Sequence, residues 1–281
     1  MTSERLLLSN VGKSFGAIRA LDGVTMSVPR GTVHGLLGEN GAGKSTLLRI
    51  LSGIFDPSEG HVEIDGVKVA GRGPVGARQA GIAMIHQELQ HVAELTVAQN
   101  MFLGRPLKKA GGLLVDWAAQ ERAAAEALRS LDPGIDPSVP IRTLKVAQRQ
   151  IVEIARAVME DAKVIAMDEP TSSLTPAEFD RLAVLIRQLA ARGVTVIYVS
   201  HKMDEVFTVC QTATILRDGR KVDDVVLAET TEAGVISRMV GRELAQAEHK
   251  GFATSDVILD VRNLSRGAAV QDASFRLHRG E

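Results

Sequence analysis

The chain has 281 residues, 45% hydrophobic and 24% charged, with a formal net charge of −1, enough for one large domain or two small ones around a sizeable core. Near-neutral charge argues against nucleic acid as the main ligand, since that role calls for a basic surface, and the single cysteine, Cys210, excludes an internal disulfide and reads as inert core. Aromatics are scarce at 3%, so Ala, Val, Leu and Ile must build the interior; no stretch reaches the ~18 apolar residues of a membrane span, and the opening MTSERLLLSN, with its acidic residue and short apolar run, is not expected to be a signal peptide.

In chain order, residues 5–37 read as short strands punctuated by Gly12, Gly16, Pro29, Gly31 and Gly35. LLRILSGI, after Lys44, reads as helix. HVEIDGVKVA reads as a hairpin about Asp65-Gly66, a dipeptide suited to a primed turn. GIAMIH, 81–86, is a short apolar strand. From about 89 to 160 the pattern is mostly helical: DWAAQERAAAEALRSL is rich in Ala and Leu, and Ile151, Ile154, Ala155 and Val158 share one helix face.

KVIAMDEP is an apolar strand ending in two acids. Thr175 caps the helix that follows, with Pro176 in its first turn and Glu178 completing a capping box. Phe179, Leu182, Ile186 and Leu189 form its buried face, and Gly193 stops it. VTVIYVSH is another buried strand, ATILRDGRKVDDV a second hairpin turning at Asp218-Gly219, and a last helix is expected near 230–240. Buried strands at 33–37, 82–85, 164–167 and 194–199, alternating with helices, predict a mostly parallel sheet covered on both faces. The polar run GRELAQAEHKGFATSD reads as a linker.

Beyond it, AVQDASFRLHRGE (269–281) aligns without a gap on ALDGVTMSVPRGT (20–32): Leu21 on Val270, Thr25 on Ser274, Met26 on Phe275, Val28 on Leu277 and Gly31 on Gly280. In the first copy VHGLLGENGAGKST follows.

That segment carries the strongest chemical signal. Gly38-x-x-x-x-Gly43-Lys44-Ser45 lies between a strand and a helix, the context a phosphate-binding loop requires. Across Gly38, Glu39, Asn40, Gly41, Ala42, Gly43, Lys44, Ser45 and Thr46 the glycines let the backbone curl so that N–H groups converge on phosphate oxygens. The helix presents its positive end to the same anion. Lys44 adds a point charge and Ser45 a hydroxyl for Mg²⁺. Asp168 ends an apolar strand, where a carboxylate can hold Mg²⁺ through water. Glu169, one residue on, can take the proton of an attacking water.

The order of the phosphate loop, IHQE, LKVAQRQIVEIARAV, VIAMDEPTSSL and VIYVSH resembles the ATP-binding cassette of ABC transporters, over nearly all of residues 5–242. GIAMIHQEL, LTVAQNMFLGR and RMVGREL resemble the ATP-binding subunits of bacterial monosaccharide importers of the ribose/galactose/xylose type. The resemblance implies an α/β fold: a RecA-like, mostly parallel core sheet, an antiparallel β subdomain and a helical subdomain at about 89–160. It also implies tandem cassettes in one chain. The expected domains are a cassette at 1–242, a linker at 243–255 and the incomplete start of a second cassette at 256–281, stopping before its own phosphate loop and lacking a counterpart of KSFG.

Residue by residue, the resemblance makes Phe15 the aromatic that stacks on adenine, although alone it would read as core. It makes Gln87 the glutamine that reaches Mg²⁺ and the attacking water and moves with the membrane contact, and His201 the histidine contacting the γ-phosphate; without it, these read as a loop residue and a capping or core residue. His86 matches nothing. The family's signature loop, usually Leu-Ser-Gly-Gly-Gln, is here Leu144-Lys145-Val146-Ala147-Gln148, and either Lys145 supplies charge in place of the hydroxyl or it is an exposed lysine touching nothing. In the D-loop, Ser173-Leu174-Thr175, Thr175 stands where aspartate is usual.

The implied cofactors are ATP and Mg²⁺. The implied partners are transmembrane permease subunits, through them a periplasmic sugar-binding protein, and the second cassette, with no nucleic acid. The implied location is peripheral, on the cytoplasmic face of the inner membrane. Cassettes pair head to tail, so this chain alone is expected to be a monomer or a weak ATP-dependent homodimer. Two other readings stay open: a non-catalytic ATP-binding module of the same transporter, and a soluble ABC ATPase of translation or repair.

Overall fold

The computed structural model describes residues 4–69, 73–86, 91–109, 111, 113–241 and 253–281. The chain divides into two compact units, Met1–Arg242 and Glu243–Glu281.

The first unit opens with β1 (Glu4–Phe15) and β2 (Ile18–Pro29), an antiparallel pair. These are two long strands rather than several short ones. Alternation puts Leu6 and Leu8 inward, and a bulge at Ser9-Asn10, with Asn10 at φ 50, shifts the register so that Val11 is buried next. The bulge lets one strand continue where the hydrophobic pattern breaks. β3 (Val33–Leu37) is buried at every residue and leads into α1 (Lys44–Leu51). β4 (Glu59–Ile64) and β5 (Val67–Lys68) turn at Asp65 and Gly66, with φ of 51 and 75, the primed turn expected there.

Then come α2 (Gly73–Gln79), β6 (Ile82–Ile85), α3 (Val97–Met101), β7 (Lys108–Lys109), β8 (Leu114–Val115), α4 (Trp117–Arg129) and α5 (Val146–Met159). The 89–160 segment is therefore not uniformly helical: it also holds the antiparallel β7–β8 pair, Lys108 opposite Val115 and Lys109 opposite Leu114. β9 (Val164–Asp168), α6 (Pro176–Ala191), β10 (Thr195–Val199), α7 (Met203–Val209), β11 (Thr212–Arg217), β12 (Arg220–Val226) and α8 (Glu232–Val240) complete the unit. Sequence periodicity had not indicated the short α2 and α7.

The main sheet runs β12-β11-β3-β10-β9-β6, parallel from β11 to β6 with β12 antiparallel at one edge. A second, antiparallel sheet runs β2-β1-β4-β5. Both faces of the main sheet are covered, as its apolar strands predict. Ile165, Met167, Val196 and Tyr198 join the core with α5, α6 and α7, whereas Val164, Ala166, Ile197 and Val199 join the antiparallel sheet and α1. The helical layer has its own core around Val97, Met101, Ala124, Leu128 and Val152.

One buried polar group sits in the strand that aims the phosphate loop. His34, 3% exposed, meets Thr212 Oγ1 at 2.7 Å through Nδ1 and Thr214 Oγ1 at 2.9 Å through Nε2. Thr214 gives its only hydroxyl hydrogen to Asp224 (2.5 Å), so it must accept from His34, and Nε2 carries the proton of a neutral ring. Burial lowers the pKa to about 4 against the opposing charge of Asp224. The unfolded chain thus takes this proton near pH 6.5 and the folded one only near 4. Between those values the parent is expected to lose about 3 kcal/mol relative to a His34→Gln variant, with no further difference below pH 4. Urea unfolding of both proteins across that range checks it.

The second unit holds β13 (Val257–Arg266) and β14 (Val270–His278), an antiparallel hairpin. It repeats β1–β2 in detail. Leu259↔Leu277, Val261↔Phe275 and Leu264↔Ala273 correspond to Leu6↔Val28, Leu8↔Met26 and Val11↔Val24. Asn263 has φ 50 and donates its N–H to Ser274 Oγ at 2.8 Å, as Asn10, also at φ 50, does to Thr25 Oγ1 at 3.0 Å. The turn is shorter, with no equivalent of the Ser14↔Arg19 and Phe15↔Ile18 rungs.

Candidate functional site: a phosphate-loop cleft

The cleft forms where β3 and β9 of the main sheet end. Gly43 is the N-cap of α1, and its φ of 103 and lack of a side chain are both needed: a Cβ there would lie 2.7 Å from Leu21 Cδ2 and 3.0 Å from Ala20 O. No side chain caps α1, and Lys44, Ser45 and Thr46 line the cleft in front of it. Lys44 Nζ arches back over the loop to Gly38 O (2.7 Å) and Glu39 O (3.0 Å). Burial lowers its pKa, and the carboxylates of Glu169 and Asp168 offset part of that.

Asp168 closes β9. Its carboxyl is pushed above the ordinary value by burial first and by the adjacent Glu169 second, with His86, Lys44 and Arg49 opposing. Glu169 has φ 45, unusual for a residue with a long side chain. Its N–H donates to Val199 O at 2.9 Å, and its Oε1 lies 3.1 Å from His201 Nδ1. Lys44, Ser45, Asp168 and Glu169 line a cleft of about 500 Å³ that also includes Asn40 and Gly41, a size suited to a small-molecule ligand, and His201 pairs with Glu169 from outside that lining.

Two cleft walls lie outside the sequence motifs: Ile18, Arg19 and Ala20 at the start of β2, and Asp218 and Gly219 in the β11–β12 turn. The turn itself was legible, but not what it touches. Gly219 N–H donates to Ala42 O at 3.2 Å, and Gly219 O accepts from Asp22 N–H at 2.8 Å. A Cβ at Gly219 would stand 2.6 Å from Ala20 O, at φ 75. Gly219→Ala is therefore expected to cost about 1–3 kcal/mol of stability, checked by chemical denaturation.

The other expected site residues fall elsewhere. Phe15 is not among the residues lining the cleft; it packs edge-on against Phe55, ring centroids 5.1 Å apart, with Lys13 Nζ 5.3 Å from its own centroid. Apolar surface and a nearby cation hold it on its neighbour at the end of β1. Gln87 lies outside the described residues. Lys145 stands just before α5, and its N–H donates to Gln148 Oε1 at 3.2 Å. Lys145, Ala147, Gln148 and Leu174 line a separate cavity of about 160 Å³, so the chain does not bring Leu144–Gln148 to its own phosphate loop. Ser173 is exposed. Thr175 caps α6 in the expected reciprocal box: its Oγ1 accepts from Glu178 N–H (3.4 Å) and its N–H donates to Glu178 Oε2 (2.9 Å).

A glycine-curled loop before a helix, with a lysine over it and two strand-end carboxylates facing it, defines a P-loop nucleotide-binding fold. The family described as ABC transporter matches residues 21–172, more than half of the chain. The chain belongs to that family. It is 45% identical over 277 residues to the "Putative ribose/galactose/methyl galactoside import ATP-binding protein 2" of Burkholderia lata, covering 98% of this chain and 52% of that protein. It is 43% identical over 281 residues to the arabinose import ATP-binding protein AraG of Paraburkholderia xenovorans, covering 99% and 54%. The chain thus spans about half the length of the curated relatives it matches. Among solved structures, the ADP conformation of MJ1267, an ATP-binding cassette of an ABC transporter, is similar at a TM-score of 0.72 and 26% identity, covering 84% of this chain and 95% of that one.

Proposed function

We propose that this chain is the first cassette of a tandem-cassette ATPase that energises import of a monosaccharide, peripheral to the cytoplasmic face of the bacterial inner membrane. The observation that carries the reading is the single cleft in which Lys44, Ser45, Asp168 and Glu169 meet, with Glu169 paired to His201. The sugar-import names of the relatives support the cargo class. Among the described residues no helix is long and apolar enough to cross a membrane, so membrane work calls for permease partners and, through them, a periplasmic sugar-binding protein.

In this reading ATP lies with its phosphates in the curl of residues 38–46, Lys44 exchanging loop carbonyls for phosphate oxygens. Ser45 and Asp168 offer hard oxygen donors in one cleft, a set that fits Mg²⁺, with Gln87 the third group; bound there, the ion neutralises charge on the phosphates. Glu169 takes the proton of the attacking water, His201 orients that carboxylate and meets the γ-phosphate, and in-line displacement yields ADP and phosphate. Phe15, on the hairpin that supplies Ile18 and Arg19 to the rim, offers the adenine a face.

Leu144–Gln148 and Ser173–Thr175 serve a site shared with a second cassette, for which β13–β14 is the opening hairpin. Its repeated bulge supports that, as does the exposure of Leu259, Leu264 and Phe275 where the first copy buries Leu6, Val11 and Met26. A groove of about 470 Å³ lined by His86, Leu103, Glu153 and Arg156 adjoins Gln87 in sequence and offers the permease a seat.

One observation favours a second reading, a module that binds ATP without turnover: Lys145, Val146 and Ala147 replace the family's Ser-Gly-Gly. The deciding experiment is the ATPase rate per molecule against protein concentration with Mg²⁺. A rate that climbs with concentration supports hydrolysis by paired cassettes, with Lys145–Gln148 completing a site. A flat, near-zero rate with intact ATP binding means that a second cassette must supply the signature, this chain being half of the engine.

A further inference from the structure

Glu169 occupies a backbone region that persists in a non-glycine residue only where the surroundings hold it. Two side chains grip the turn that follows. Gln150, on α5, donates its side-chain N–H to Pro170 O. Thr171, 2% exposed, donates its hydroxyl to Glu205 Oε2 at 2.5 Å. Glu205, in the first turn of α7, is itself only 4% exposed. The same Oε2 accepts from Tyr198 OH at 2.9 Å and Ser200 Oγ at 3.3 Å, and Oε1 accepts from Lys202 Nζ at 2.9 Å. Lys202 also gives its backbone N–H to Ser200 Oγ at 3.1 Å.

One carboxylate therefore gathers donors from the turn two residues beyond Glu169, from the end of β10, and from both residues flanking His201. Burial alone would raise the pKa of Glu205, but hydrogen bonds from Thr171, Lys202 and Tyr198 outweigh it and hold the carboxyl below its ordinary value. A buried ionised group is a poor source of stability compared with apolar packing, and its best use is to specify one arrangement. The arrangement specified here is the approach of two loops, one carrying Glu169 of the cleft and the other His201, which pairs with it.

We infer that Glu205 is a positioning residue, fixing the Glu169 turn against the His201 loop so that the two side chains pair. This rests on the reading of Glu169 and His201 as hydrolytic residues. Thr171, Ser200 and Glu205 are absent from the cleft lining, so nucleotide affinity should be indifferent to them while the chemical step is not.

The test is steady-state ATPase kinetics on the whole chain, at a concentration where the parent turns over, for Thr171→Val, Thr171→Ser and Glu205→Gln, with thermal melts of each. Expected for Thr171→Val is a KM within about twofold of the parent and a kcat reduced about tenfold or more, because misplacement of a catalytic group acts on turnover. Thr171→Ser, which keeps the hydroxyl, should recover kcat to within about threefold. Glu205→Gln should reduce kcat in the same way, and if it fails to fold, the Thr171 pair decides. A Thr171→Val enzyme with kcat within about twofold of the parent would overturn the assignment. So would equal losses in the valine and serine variants, or a KM that rises in step with the fall in kcat. A parent with no Mg²⁺-dependent turnover even at concentrations where the chain is shown to pair in the presence of ATP would overturn the hydrolytic reading, and this assignment with it.

Discussion

Exchanging Glu169 for glutamine is expected to reduce Mg²⁺-dependent ATP turnover by about a hundredfold or more, the usual scale of a general base, while ATP binding stays within about threefold. The amide keeps the size of the carboxylate and can still face His201 Nδ1, now 3.1 Å from Oε1, so the turn should hold. What disappears is the acceptor for a water proton. Binding should even gain slightly, since one negative charge leaves a cleft that must receive phosphates and Asp168 loses a repulsive neighbour. Single-turnover hydrolysis beside equilibrium binding of a fluorescent nucleotide separates the two effects. Unchanged turnover would remove Glu169 as the base.

Lys44→Ala is expected to weaken ATP binding by about tenfold to a hundredfold, the equivalent of one or two charge-assisted hydrogen bonds. The ammonium has a dual place in the cleft. It holds the loop through Gly38 O and Glu39 O, and its charge compensates Asp168 and Glu169. Its loss should therefore also push the Asp168 carboxyl further up, so the affinity deficit should be larger at high pH, where Asp168 is ionised without Lys44 beside it. Calorimetric titration with ATP at two pH values reads both effects. Retained affinity at both would mean that phosphates do not lie in the curl of residues 38–46.

Much of this protein was determined locally and was therefore legible in the one-dimensional chain. The Gly38–Ser45 spacing defines a backbone curl whatever surrounds it. Asp65-Gly66 and Asp218-Gly219 take positive φ by residue type, and Thr175 with Glu178 caps α6 within a single turn. The runs at 33–37, 164–167 and 194–199 are predominantly apolar and too short for helices, which marks them as interior strands. The repeat of residues 20–32 at 269–281 extends to the bulge at Asn263 for the same reason: register is carried by which residues are apolar.

Tertiary structure decided the rest. That Ile18, Arg19, Ala20, Asp218 and Gly219 wall the cleft follows from strand order, which places β11 beside β3 and so lays the β11–β12 turn on the phosphate loop. That Phe15 rests on Phe55, that His34 is neutral between two threonines, and that Glu205 reaches Thr171 across 34 residues of chain all depend on contacts between distant segments. Periodicity is blind to these, since it records only whether a position is apolar. A buried acid such as Glu205 looks like solvent-facing charge until the donors that surround it are brought together by the fold.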